Sequence, residues 1–439
     1  MINFRTPVLW AIALAPFSTL RGADATSQSA VSYTRDVLPI FRSECQGCHQ
    51  PAKQKGDYVM TDFASLLAGG ESGDPAIIPG HPEESYLIEL ITPVDGASEM
   101  PPKDGPLPED QVAMITRWVA EGAVDDSPPR TAPKVDAGNP PVYSQLPVVT
   151  SLDFSPDGKW LAVAGYHEVL LHKSDGSEIV HRLVGLSERV ESVRFSPDGK
   201  RLAVAGGDPG RSGELQIWDV EKRSLLLSKA VTYDTIYGAS WSPDGTRIAV
   251  GCAHDKSVRA FDAKTGAQIL FMGGHDDWPL ATVWSKEGTH VVSGGRDMTT
   301  KLTEVESERF IDNITSITPK ALKGGIHSLA RQPENDFFLV GGADGEPKIY
   351  RAFREVERKI GDDSNLIRRY PSLPGRLFSV AFAPDGKTFV AAASLDGKGT
   401  LTVCSSEFDA TIPDEIKKIW KKTILQRSDE EKEKYESWW

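Results

Sequence analysis

One unit recurs through most of the chain, and it limits the fold more than any other feature. Phe154-Ser155-Pro156-Asp157-Gly158 precedes Leu161-Ala162-Val163-Ala164-Gly165. The order returns as Phe195-Ser196-Pro197-Asp198-Gly199 before Leu202-Ala203-Val204-Ala205-Gly206, and as Trp241-Ser242-Pro243-Asp244-Gly245 before Ile248-Ala249-Val250-Gly251. Trp284-Ser285-Lys286-Glu287-Gly288 opens a fourth copy and Phe382-Ala383-Pro384-Asp385-Gly386 a sixth; the fifth, Gln332-Pro333-Glu334-Asn335 before Phe338-Leu339-Val340-Gly341, is degenerate. Pro and Asp at the centre of a turn, followed by Gly, suit a type I turn closed by a left-handed residue. Each copy therefore predicts a β-hairpin. Third strands follow at Leu215-Gln216-Ile217-Trp218-Asp219 and Ser257-Val258-Arg259-Ala260-Phe261-Asp262.

A period of ~40 to 45 residues with four strands per repeat resembles WD40-type blades. Trp218-Asp219 matches the signature dipeptide and Gly274-His275 the opening one. The resemblance implies an all-β WD40-like propeller over residues 148–412, with six recognisable blades and a role as a docking platform for proteins. Such rings most often have seven blades. Residues 413–439 read as a short, charged helical tail. Ile416, Ile419, Trp420 and Ile424 form an amphipathic stripe, Ser428 with Glu431 makes a capping box, and Trp438-Trp439 follow. Three arrangements stay open: a six-bladed or unclosed ring, a tail that fills the gap, or a ring that lacks one blade.

Upstream of the repeats lies Cys45-Gln46-Gly47-Cys48-His49. Two thiols three positions apart sit on one helical turn, within reach of the two vinyl groups of one haem. The next histidine falls beneath the iron. Cys-x-x-Cys-His is the c-type haem attachment pattern. A zinc site needs two further ligands nearby, and only His81 follows in the same region. A thioredoxin-like pair needs a βαβ setting, which the pattern here does not offer. The reading is one covalent haem c on Cys45 and Cys48, with His49 as proximal ligand.

Residues 26–125 read as a small all-α domain around that motif. Tyr33, Val37, Ile40, Phe41 and Cys45 recur at helical spacing from about Thr34. Pro39 kinks or shortens that helix. A short helix is predicted near Pro82, with Glu83 and Glu84 in its first turn. A last helix is predicted from Pro108, with Val112, Ile115, Trp118 and Val119 on one side and Gly122 as C-cap. The opening and closing helices pack together in a small cytochrome c. The candidates for a second axial ligand are Met60, His81, Met100 and Met114. Met100 is favoured because Met100-Pro101-Pro102 is a stiff loop. Met60 and Met114 read as packed residues, and His81 as a capping or surface residue.

These residues also resemble a family. Arg42-Ser43-Glu44-Cys45-Gln46-Gly47-Cys48-His49, Lys55-Gly56, Gly69-Gly70-Glu71-Ser72-Gly73, Pro79-Gly80-His81-Pro82-Glu83-Glu84-Ser85, Met100-Pro101-Pro102 and Arg117-Trp118 are similar, in order, to the planctomycete-type cytochrome c domain. The resemblance implies covalent haem at Cys45 and Cys48, iron ligation by His49, and supports Met100. Asp57-Tyr58-Val59-Met60 departs from the family's usual Gly-Leu-Arg-Leu.

The start reads as a secretory signal over residues 1–25: Arg5, an apolar Val8–Ala15 core, then an Ala23-Asp24-Ala25 cleavage site. Export, to the periplasm or another extracytoplasmic space, agrees with c-type haem attachment. No later stretch is apolar for long enough to span a bilayer. Residues 126–147 carry Pro128, Pro129, Pro133, Pro140, Pro141 and Pro147 and read as a semi-rigid linker. The net charge of −13 speaks against a nucleic-acid partner. Cys252 and Cys404 read as free buried thiols. The propeller histidines show no metal-ligand spacing, and Asp208, Arg211, Arg296 and Asp297 read as solvated turn residues. The functional expectation is an electron-transfer protein with a redox partner protein and no catalytic residues. The alternatives are an oxidoreductase whose propeller feeds the haem, and a haem-based sensor or scaffold.

Overall fold

The computed structural model describes residues 30–50, 53–102, 105–127, 135–143, 145, 148–315, 324–355, 357, 363–407, 413–422 and 424–438. The predicted signal lies outside these residues, as do Pro128, Pro129, Pro133, Pro147 and Trp439.

The first part is helical, with short irregular joins. The opening helix is broken up: a π turn Tyr33–Val37, three residues of α1 (Leu38–Ile40), and a second π turn Phe41–Cys45. Pro39 lies at the start of α1, where its missing N–H costs least. A short ladder pairs β1 (His49–Gln50) with β2 (Lys53–Gln54). Then come α2 (Phe63–Ala68), α3 (Tyr86–Ile91) and α4 (Glu109–Ala120). Pro108 caps α4, and Gly122 adopts a φ of 100° just past its end. Ile115, Trp118 and Val119 are the buried face of α4. Tyr33 stacks on Trp118 at 5.2 Å, and Phe63 meets Trp118 at 6.1 Å. Opening and closing segments therefore pack together, as the sequence predicted.

From residue 152 the chain is antiparallel sheet. The first sheet holds β3 (Leu152–Phe154), β4 (Trp160–Ala164), β5 (Tyr166–Lys173), β6 (Ile179–Phe195), β7 (Arg201–Asp208), β8 (Ser212–Asp219) and β9 (Ser224–Thr232). It spans two repeats because β6 serves as the last strand of one and the first of the next. Four-stranded sheets follow: β10 (Ile236–Trp241) to β11 (Arg247–Cys252), β12 (Val258–Asp262) and β13 (Gln268–Met272); then β14 (Pro279–Trp284), β15 (His290–Gly295), β16 (Thr300–Glu304) and β17 (Arg309–Asn313). The fifth repeat gives β18 (Ile326–Arg331), β19 (Phe337–Gly342), β20 (Lys348–Arg351) and β21 (Leu366–Arg369), so the degenerate copy still folds as a hairpin. Among the described residues the sixth has three strands, β22 (Arg376–Phe382), β23 (Thr388–Leu395) and β24 (Lys398–Ser405).

The predicted turns form as read. Gly158 donates to the Ser155 carbonyl at 2.8 Å with a φ of 71°, while the Ser155 hydroxyl meets Asp157 at 2.6 Å. Gly199, Gly245, Gly288 and Gly386 repeat the left-handed conformation. Neighbouring repeats are also stapled. Arg201 lies 4.8 Å over the Trp241 ring and donates to the Gly245 carbonyl at 2.7 Å, and Arg247 lies 4.8 Å over Trp284. Each such cation–π contact contributes about 0.5–1 kcal/mol where it stays solvated.

First strands pack in succession: β3 on β6, β6 on β10, β10 on β14, β14 on β18, β18 on β22. Among the described residues β22 makes no comparable packing on β3, so the array is not closed. Its two ends remain apolar and open: Leu152 and Phe154 on one side, Phe378, Leu401 and Val403 on the other, all more than half exposed. The tail helices α5 (Asp414–Trp420) and α6 (Asp429–Trp438) pack on each other, with Ile416, Ile419 and Tyr435 buried. The capping box is reciprocal: Ser428 N–H donates to Glu431 at 3.0 Å, and Glu431 N–H to the Ser428 hydroxyl at 3.1 Å.

The linker is less free than its prolines implied. Arg182 donates to the Pro141 carbonyl at 2.7 Å, and the Tyr143 hydroxyl donates to Glu168 at 2.7 Å. Pro141 and Tyr143 are therefore fastened to the first repeat.

Candidate functional site

The second π turn ends on Cys45, and Cys48 N–H donates to the Cys45 carbonyl at 3.0 Å. The two sulfurs thus share one turn, and both thiols are free. Loss of solvent pushes the Cys45 thiol up to about 12, so it is a neutral thiol at physiological pH. Gln46 fixes the turn, since its side chain donates to the Met60 carbonyl at 2.9 Å. Gln50 does the same from the other side, donating to the Gln46 carbonyl at 3.0 Å.

His49 is held by backbone on both sides: β1 pairs it with Gln54, and its carbonyl accepts from Met60 N–H at 2.9 Å. Burial lowers its pKa, which keeps the imidazole neutral, as a metal ligand must be. Its Nδ1 is buried with no hydrogen-bond partner. A buried polar atom left unpaired costs roughly 1–3 kcal/mol unless something satisfies it.

Met100 N–H donates to the Leu90 carbonyl at 3.0 Å, and the Ser98 hydroxyl donates to the Met100 carbonyl at 2.9 Å. The loop is pinned, as its prolines predicted. Cys45, Tyr58, Leu67, Ile88 and Met100 are all only partly covered, yet all lean on one apolar core. Met60 is 1% exposed and belongs to that core. Met114 packs on it from α4. His81 is exposed and meets Glu83 at 3.3 Å, a surface position.

A haem is implied by the motif, and the residues fit one. The donor set is two free thiols on one turn and a neutral imidazole with an orphaned nitrogen. Tyr58 stands 5.4 Å from His49, and partly covered apolar side chains of the same core are what a flat apolar ring would shield.

The turn also touches the sheets, which sequence reasoning missed. A Cβ on Gly47 would lie 2.5 Å from the backbone oxygen of Ser228 on β9. Lys53 donates to the Leu226 carbonyl at 2.7 Å and Arg42 to the Arg211 carbonyl at 3.2 Å. Gly47→Leu is expected to separate the two parts, because backbone cannot swing aside as a side chain does. Small-angle scattering should then record a larger radius of gyration, and proteolysis within residues 126–147 should quicken several-fold. An unchanged profile would refute the contact.

A second constellation was also missed. His275 Nδ1 lies 2.9 Å from Asp297 Oδ2, and His275 Nε2 lies 2.8 Å from the Ser293 hydroxyl. Asp297 is not the solvated turn residue the sequence implied, since its side chain is 4% exposed. The order Asp–His–Ser is that of a hydrolase triad. Here the His275 side chain is 0% exposed and Ser293 1%, so no substrate reaches the hydroxyl. The chain of bonds is scaffold. Cys252 and Cys404 are free, the first buried and the second half-buried.

Comparison with known proteins fits this division. The planctomycete cytochrome C family model matches residues 45–104. The WD domain, G-beta repeat model matches residues 143–171, 177–219, 228–262 and 266–303. This chain thus joins a planctomycete cytochrome C domain to WD40 repeats. Similar proteins include WD repeat and SOCS box-containing protein 1 of Danio rerio, 29% identical over 85 residues, which is 19% of this chain and 20% of that protein. Coronin-7 of Mus musculus is 27% identical over 213 residues, 46% of this chain and 23% of its own. WD repeat-containing protein 1 of Bos taurus is 35% identical over 78 residues, 17% of this chain and 13% of its own. The chain spans about a fifth of the length of the first two relatives. The sheets continue past residue 303, where the repeat matches stop, through β24.

Proposed function

We propose that the chain is an exported c-type cytochrome that carries one covalent haem and passes single electrons, with the WD40 repeats forming a propeller on which a redox partner protein docks. The observation that carries this reading is the neutral, partly orphaned His49 imidazole beside two free thiols on one turn. On this reading the processed chain begins at Thr26, residues 26–125 enclose the haem, and 126–147 tie it to the propeller. The haem supplies a one-electron store at its iron. Cys45 and Cys48 would hold the ring, and His49 and Met100 would offer the iron an imidazole nitrogen and a thioether, the latter raising the potential. Among the described residues no helix is long and apolar enough to cross a membrane. The triad-like chain of Asp297, His275 and Ser293 is sealed from solvent.

Carbon monoxide tests the ligand set. The reduced wild-type spectrum should not move on adding the gas, because His49 and Met100 would together leave the iron no free position. Met100→Ala should open one and shift the Soret band. An unmoved Met100→Ala spectrum would point to another ligand, with Met60 the next to try, since its amide already bonds the His49 carbonyl.

A further inference from the structure

Glu214 lies on β8 and is 7% exposed. Its carboxylate accepts from the Ser187 hydroxyl at 2.6 Å, from Gln216 Nε2 at 2.8 Å, and from the Ser228 hydroxyl. Gln216 is held in turn by Trp218 Nε1 at 2.8 Å. A sheet needs no acid there: serine and glutamine side chains bond equally well to a buried amide. The charged side chains on the surrounding strands are Arg182, Glu188, Arg189, Glu191 and Arg194 of β6, Arg201 and Asp208 of β7, Asp219 of β8 and Lys229 of β9, with Arg42 and Lys53 across the contact. Among the described residues none of the cations hydrogen-bonds Glu214. Burial first, and then Asp208, favour the protonated form, against the pull of the three donors.

Ser228 is the link. Its hydroxyl bonds Glu214, and its carbonyl is the atom that Gly47 approaches. Gly47 stands between the two haem-attaching cysteines. A buried acid thus lies one residue from the turn proposed to hold the redox centre.

We propose that Glu214 is the proton-exchanging group of this cytochrome, giving up its proton as the iron gives up its electron. This rests on the haem reading above. In balance, Fe(II) with the Glu214 carboxylic acid becomes Fe(III) with the Glu214 carboxylate. The electron passes to an external one-electron acceptor, and the proton leaves by way of the Ser228 hydroxyl at the domain contact. The charge inside changes little, which matters where water is excluded. By Coulomb's law with an effective dielectric of about 20, a unit positive charge within about 10 Å of a carboxyl loosens its proton on the order of tenfold or more.

The test is a potentiometric titration of the full-length holoprotein across roughly pH 5 to 9, the range into which buried carboxyls are shifted. The wild-type potential should fall as pH rises, by on the order of 59 mV in all, the one-electron equivalent of a tenfold change. Glu214→Gln should flatten that step while pH dependence from the haem's own carboxylates persists. A second readout is the reduced-minus-oxidised infrared difference spectrum, which should contain a protonated-carboxyl band that Glu214→Gln removes. An identical step or an identical band in the variant overturns the proposal. Should the variant not fold, absence of the carboxyl band from the wild-type difference spectrum overturns it alone. A colourless wild-type protein would instead overturn the haem reading, and this proposal with it.

Discussion

Protein with Cys45 and Cys48 both replaced by Ser should carry no covalent haem at all. The whole-chain mass should then equal that of the processed polypeptide, while the wild type should exceed it by one haem. The reason is geometric as well as chemical. The thiols are tied to one turn by the Cys48–Cys45 backbone bond, and Gln46 and Gln50 fix that turn from two sides. Ser keeps this frame, because neither sulfur takes part in it, yet a hydroxyl does not form the thioether. His49 would remain neutral and poised, so the variant may be offered haem in solution; any that binds should leave on acid–acetone extraction, unlike the wild-type group. The double variant should also be less stable. Tyr58, Leu67, Ile88 and Met100 would stay partly exposed, and each CH₂ left uncovered costs about 0.8 kcal/mol. Wild-type protein whose mass already matches the bare chain would end the haem reading.

Much of this architecture was legible because it is local. The Ser-Pro-Asp-Gly turns close within five residues, and α4 declares itself by the spacing of Ile115, Trp118 and Val119. The Ser428–Glu431 box spans one helical turn. The Cys45–His49 motif is equally compact. What the sequence hid is what long separations bring together. Nothing near Tyr143 announces that it bonds Glu168, 25 positions on. Gly47 reads as a small residue in a haem motif; its need to be glycine comes from β9, far along the chain. Glu214 and Asp297 look like surface acids in sequence and are interior in the fold. The one usable signal was Gly274-His275, because an opening His with an Asp some twenty residues on marks a bond across a hairpin. The unclosed array was legible only as a shortage of repeats; the exposed Leu401, Val403 and Phe378 give that shortage a surface.

His275→Ala should cost the repeats about 3 kcal/mol, the low end of the roughly 3–5 kcal/mol lost when one member of a buried pair is removed. The low end applies because Asp297 keeps other donors. Asp276 N–H reaches it at 2.9 Å, and the Thr299 amide and hydroxyl at 3.1 and 2.8 Å. The loss is still large, since a carboxylate 4% exposed loses its closest ring donor and Ser293 loses its partner at once. Acid should expose the same group. Burial by itself would raise the Asp297 carboxyl, but the hydrogen bond and charge of His275, with the two backbone amides, bring it down to about 2. A carboxyl whose folded value lies below its unfolded one, 3.8, stabilises the fold above that unfolded value. The contribution is lost as pH falls through about 2, and it amounts to roughly 2 kcal/mol, at 1.36 kcal/mol per unit. Asp297→Asn keeps the shape and an accepting oxygen but removes the charge. Its stability at neutral pH should therefore fall, and the part of the acid dependence between about pH 4 and 2 should flatten. Denaturant midpoints measured at neutral pH and near pH 3 check both effects. If His275→Ala costs less than about 1 kcal/mol, the ordinary worth of one hydrogen bond, the network is not the brace described here.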